Sequence, residues 1–100
     1  MEFTAELWEY DGEAAWVFVT LPHEVADEIA DRATAGPGFG SVPVVVRIGS
    51  TEWRTSLFPD KRAASYVLPV KRVVRRAEGV EPGDIVSVRL ELDPDRAPSP

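Results

Sequence analysis

Apolar and polar residues alternate along most of this chain, and clusters of turn-forming residues interrupt the alternation. Phe3 to Tyr10 and Ala15 to Leu21 each read as a strand, with Asp11-Gly12 between them as the two-residue signal for a type I′ hairpin turn. Such a turn sets a register in which Leu7 faces Trp16, Ala5 faces Phe18 and Phe3 faces Thr20, so that this apolar face belongs in the core. The opposite face then carries Thr4, Glu6, Trp8, Val17 and Val19. Trp8 is expected to pack across the strand against Val17 or under a loop.

After Leu21 the period changes. Pro22 suits the first turn of a helix, and His23 to Thr34 places Val25, Ala26, Ile29, Ala30 and Ala33 at helical spacing, with Glu24, Asp27, Glu28 and Asp31 outside. Gly36 ends that helix, and Ala35 to Ser41 is a loop pinned by Phe39. Its glycines do not make a phosphate-binding fingerprint, which needs a strand before and a helix after, the reverse of the order here.

Alternation then resumes. Val42 to Ile48 and Thr51 to Phe58 form a second hairpin around Gly49-Ser50, a type II′ signal that sets Trp53 against Val46 as a core residue and Arg47 against Glu52. Pro59 is expected to stop the strand, and Asp60 to Ala64 to be a basic connection to a short strand, Ser65 to Leu68. A second helix begins at Pro69, with Val70, Val73, Val74 and Ala77 as its buried stripe and Lys71, Arg72, Arg75 and Arg76 outside. Gly79 stops it. Glu81-Pro82-Gly83-Asp84 reads as a type II turn leading into the last strand, Ile85 to Leu92, whose core face is Val86, Val88, Leu90 and Leu92. Residues 1–93 therefore form one domain, and residues 94–100 a proline-rich disordered tail. Six short strands and two short helices predict a mainly β fold, a small antiparallel barrel.

Composition narrows the chemistry. With 44% hydrophobic and 28% charged residues the chain is of ordinary globular type. It has no cysteine and one histidine, which excludes disulfides, thiolate catalysis and a cysteine or multi-histidine metal site within one chain. The longest apolar run, Ala14 to Val19, is far short of the ~20 residues that span a bilayer, and Met1-Glu2-Phe3 has no basic leader. The expected location is the cytoplasm, with no membrane contact. No motif asks for a cofactor.

Net charge is -6, unevenly spread. Residues 1–31 hold nine acidic residues and no basic one, whereas residues 61–76 hold six basic residues and no acidic one. Two solvated faces of opposite sign account for this without any function. His23 has no serine, cysteine or second histidine placed with it by a known motif. Asp11, Asp60 and Asp84 fall in turns, where aspartate is favoured for backbone reasons.

The segments Phe3-x-Ala5-x-Leu7, Trp16 to Ile29, Trp53 to Pro59, Tyr66 to Arg76 and Gly83 to Asp93 together resemble the bacterial domain-of-unknown-function (DUF) family nineteen-oh-five, over nearly the whole chain apart from its tail. The resemblance implies a double-split β-barrel, loosely akin to the swapped-hairpin barrels of AbrB-like transcription regulators. It implies no activity. Relatives often carry a glycine-rich loop where this chain has Asp60 to Ser65.

Three readings of function follow. The first is a non-catalytic binding module for a protein partner or small anionic ligand, using Arg54, Lys61, Arg62, Lys71, Arg72, Arg75 and Arg76. The second is nucleic-acid binding through the same basic helix face, opposed by a pI near 4.7 and by the lack of an evident aromatic platform beside the arginines. The third is an enzyme of unidentified class, for which neither a nucleophile nor a general base stands out.

Overall fold

The computed structural model describes residues 1–12, 16–32 and 40–94. In chain order its elements are β1 (Glu2–Glu6), β2 (Trp8–Glu9), β3 (Val17–Thr20), α1 (His23–Arg32), β4 (Val42–Ile48), β5 (Thr51–Asp60), β6 (Ser65–Pro69), α2 (Arg72–Glu78) and β7 (Ile85–Leu92). Among the described residues seven strands lie in the order β1-β7-β4-β5-β6-β3-β2, every pairing antiparallel. The fold is thus the expected antiparallel double-split barrel, nearly closed, with seven strands instead of six.

The extra strand arises because the first predicted strand divides at Leu7. β1 pairs with β7, Ala5 opposite Val86, while β2 pairs with β3, Trp8 opposite Phe18. One continuous stretch of chain therefore forms both ends of the sheet, and Leu7 is the seam. Its N–H donates to Asp84 O (2.9 Å) and its carbonyl accepts from Gly83 N–H (2.8 Å). The backbone groups left over where the strand changes sheets are so satisfied by the 81–84 turn. That turn is as predicted: Asp84 N–H donates to Glu81 O, and Gly83 has φ 101°, a value side-chain-bearing residues avoid.

The halves are joined a second time through β5. Its first part pairs with β4 in the predicted register, Trp53 opposite Val46 and Arg47 opposite Glu52. Its last residues pair with β6, Pro59 opposite Tyr66. Pro59 does not stop the strand as expected. β4 begins at Val42, opposite Leu57, so beyond that point β5 has lost this neighbour and the missing N–H of Pro59 breaks no bond there. The 60–64 connection is accordingly a hairpin turn, in which Asp60 Oδ1 accepts from Arg62 N–H and Ala64 takes a positive φ of 53°. An L side chain in that region costs roughly 1 kcal/mol, so Ala64→Gly should raise stability by about 1 kcal/mol or slightly less, read as a later urea midpoint. An unchanged or earlier midpoint would contradict this.

The first hairpin corrects the predicted register. Tyr10 N–H donates to Trp16 O, so Trp16 lies opposite Tyr10 and not Leu7. The connection is longer than the two-residue turn, and the odd shift exchanges the faces of β3. Val17, Val19 and Leu21 are fully buried, whereas Trp16 is 53% exposed. Trp8 packs on Phe18, with ring centroids 5.2 Å apart, and donates from Nε1 to Thr20 Oγ1.

The core is aliphatic. Leu7, Leu21, Ile29, Leu57, Leu68 and Leu90 lie inside with Val17, Val19, Val44, Val46, Val70 and Val88. Val86, Val88 and Leu90 of β7 are buried as expected, Leu92 partly. Trp53 is likewise only partly buried. Among the described residues no aromatic side chain belongs to the fully buried set.

α1 buries Ala26 and Ile29, half-buries Val25 and Ala30, and exposes Glu24, Asp27 and Asp31. His23 at its start has a structural task. Its Nε2–H donates to Ala63 O (2.8 Å), and together with the Ser65 Oγ to Leu21 O bond this ties the β5–β6 turn to the helix. The predicted end of α1, the 35–39 part of the loop and residues 95–100 of the tail lie outside the described residues. No helix among the described residues is long and apolar enough to cross a membrane.

Candidate binding cleft

α2 does not start at Pro69. Pro69 is the last residue of β6, opposite Phe18, and Val70 N–H donates to Val17 O (2.9 Å), so strand pairing holds both residues extended. Lys71 stays extended (φ -66°, ψ 154°), and the helix begins at Arg72. Gly79, left-handed at φ 64°, ends it as predicted, with Val80 N–H reaching back to Arg75 O.

A start this late turns the helix relative to the predicted stripe. Val70 and Val74 are buried, but Val73 is 70% exposed and Ala77 faces solvent. Glu78, on the inner side, accepts from Thr51 Oγ1 and Ser50 Oγ and so fastens α2 to the β4–β5 turn. Arg75 is half-buried and donates from Nε to Val70 O (3.1 Å). Lys71, Arg72 and Arg76 remain exposed.

The strand pairing that delays the helix also builds a cleft. Continuing the β3–β6 register past Phe18–Pro69 brings Lys71 level with Trp16. A cavity of about 310 Å³ lies there, lined by Trp16, Val17, Pro69, Val70, Lys71, Arg72 and Arg75. Its size falls at the lower end of the range usual for small-ligand sites. Its apolar floor is strand; three of its wall residues are cations.

Beside it runs an aromatic face. Trp16 stacks on Phe18, with centroids 6.1 Å apart and planes 10° from parallel, while Tyr10 meets Phe18 edge-on at 6.5 Å. The expectation that no aromatic platform accompanies the arginines is therefore overturned. With the register of the two-residue turn, Trp16 and Phe18 pointed into the core; the longer connection puts them outside with Trp8 and Tyr10. The signal was present in the alternative alternation Val17-x-Val19-x-Leu21, which offers an equally apolar inner face.

Of the seven basic residues singled out from the sequence, three line the cleft. Lys71, Arg72 and Arg75 meet at the cleft, and Arg76 stays on the same helix outside its lining. Lys61 and Arg62 sit in the β5–β6 turn. Arg54, on β5, lies 3.7 Å from Oδ2 of the buried Asp93.

Charge compensation sets the cleft apart from a larger hollow of about 600 Å³ over β1, β7 and β4. In that hollow Arg89 is paired with Glu2 (3.4 Å), and the neighbouring Arg47 lies level with Glu52 in the β4–β5 ladder. At the cleft no described carboxylate comes within ion-pair distance of Lys71, Arg72, Arg75 or Arg76. Among the described residues no group of three metal-ligating side chains occurs.

Comparison with known proteins adds a family. The family model described as "Domain of unknown function (DUF1905)" matches residues 3–90. No curated protein matches the chain.

Proposed function

We propose that this chain, which belongs to the DUF1905 family, is a cytoplasmic binding module that takes an anionic ligand, or an acidic group of a partner, in the cleft between Trp16 and the start of α2. The observation that carries this reading is the uncompensated set of cations. In a protein of net charge -6, Lys71, Arg72, Arg75 and Arg76 crowd one short helix with no described carboxylate paired to them. Held close together, like charges repel and raise the free energy of the empty site. An anion entering the cleft relieves that repulsion, and guanidinium groups receive it through charge-assisted hydrogen bonds.

Binding accounts for the site better than catalysis does. The polar groups lining the cleft are donors of fixed charge, and its remaining walls are apolar. Asp60 and Asp84 are occupied by the turns that contain them, each accepting a backbone N–H. The cytoplasmic assignment is supported by the lack of cysteine in the sequence.

Inorganic pyrophosphate, titrated calorimetrically at low ionic strength, tests the reading. Lys71→Ala combined with Arg72→Ala should weaken binding at least tenfold, since a hydrogen bond to a charged group contributes about 1.5 to 3 kcal/mol. Both side chains are exposed, so the fold should survive. Arg54→Ala, whose guanidinium faces Asp93, should leave affinity within about twofold. Equal loss in all variants, or no binding by the parent protein, would overturn the proposal.

A further inference from the structure

The anion site has a stacking surface attached to it. We propose that the ligand is a nucleotide unit, its base stacked on Trp16 and its phosphate held by Lys71, Arg72 and Arg75. This rests on the anionic-ligand reading above and specifies the ligand class.

Three observations carry it. Trp16 is 53% exposed although it lies near-parallel to Phe18, so much of the indole is open to a further ring. Phe18 in turn is held by Trp8 and Tyr10, and Trp8 is locked by its bond to Thr20, so the platform is fixed before any ligand arrives. Trp16 also lines the same cavity as the three cations, level with Lys71 across the β3–β6 ladder. A molecule that carries a flat aromatic ring and a phosphate on one small frame, as a nucleotide carries its base and phosphate on a sugar, is the ligand that satisfies both walls at once. A simple inorganic anion would leave the indole unused, and an acidic peptide side chain would bring the charge without the ring.

The charge balance limits how long such a ligand can be. Outside residues 61–76 the chain is strongly acidic, with Glu24, Asp27, Glu28 and Asp31 on α1 alone, and a net charge of -6 disfavours a long polyanion. One or a few nucleotides fit this distribution, either free or as part of a single strand.

Affinities for adenosine diphosphate, an eight-nucleotide deoxyadenosine strand and inorganic pyrophosphate, measured by tryptophan fluorescence and calorimetry at low salt, decide the matter. Adenosine diphosphate should bind at least tenfold more tightly than pyrophosphate. Trp16→Ala should remove that advantage, a loss of roughly 5- to 150-fold for one stacked base, and Trp16→Phe should restore most of it. Pyrophosphate affinity should be the same in all three proteins. If the strand binds more tightly than the free nucleotide, with affinity falling about 100-fold per tenfold rise in salt for three phosphate contacts, the source is single-stranded nucleic acid. The opposite order identifies a free nucleotide. Equal binding of adenosine diphosphate and pyrophosphate, or indifference to Trp16→Ala, would overturn the nucleotide assignment while leaving the anion site standing. Failure of both anions to bind would remove both, whereas binding of an acidic peptide where nucleotides fail would overturn the nucleotide assignment and leave the acidic-partner reading of the cleft standing.

Discussion

Truncating Leu7 to alanine is expected to lower folding stability by about 3 to 5 kcal/mol, the upper part of the range for a buried leucine. Leu7 is fully buried, and it sits where the chain leaves one half of the barrel for the other. Neighbouring backbone cannot close over the cavity, because the Leu7 N–H and carbonyl are both held by the 81–84 turn. Collapse around the gap would have to break one of those bonds. For a protein with about 5 to 15 kcal/mol of total stability, the loss is a large fraction, and urea unfolding followed by circular dichroism will read it as a much earlier midpoint. A loss below about 1 kcal/mol would mean that the seam is held by its hydrogen bonds alone.

The second large effect is a contrast between neighbours. Val17→Ala should cost about 2 kcal/mol, from two buried methyl groups plus the cavity they leave. Trp16→Ala removes a far larger side chain, yet it should cost only about 1 kcal/mol, since what it loses is a half-exposed stack on Phe18. The two-residue turn predicts the reverse order, with Trp16 in the core and Val17 outside. Denaturation of the two variants under one set of conditions therefore tests the register directly, and Trp16→Ala proving the costlier would reinstate the shorter turn.

That contrast shows where local pattern ran out. In the second hairpin, the residues flanking Gly49-Ser50 put Arg47, Glu52 and Arg54 on one face and Val46, Ile48 and Trp53 on the other, so turn and pattern agree and the register follows residue by residue. In the first hairpin both faces of Ala15 to Leu21 are apolar, Trp16 and Phe18 on one and Val17 and Val19 on the other. Burial could not choose between them, and the choice fell to Asp11-Gly12. Tertiary pairing decided otherwise: β3 must lie between β2 and β6, and Val17 must meet Val70.

Tertiary pairing also sets where α2 begins. The spacing of Val70, Val73, Val74 and Ala77 is helical, but Val70 is claimed by the β3–β6 ladder, which local periodicity does not register. Pro59 is a further case, since its place in β5 depends on where a different strand begins. Elements, turns at 81–84 and the helix stop at Gly79 were legible because each rests on the conformational needs of a few adjacent residues. The cleft was half legible. Its cations stand together in sequence, while its aromatic wall comes from a residue more than fifty positions away, on a face assigned to the core.

The seam at Leu7 also has a consequence in time. β1 finds its partner only in β7, roughly eighty residues later, so during synthesis the first strand emerges long before anything can pair with it. At about 5 to 20 residues per second, that interval is on the order of 4 to 16 seconds. The β4–β5 and β5–β6 hairpins are complete earlier, but β1 is paired only when β7 has left the ribosome.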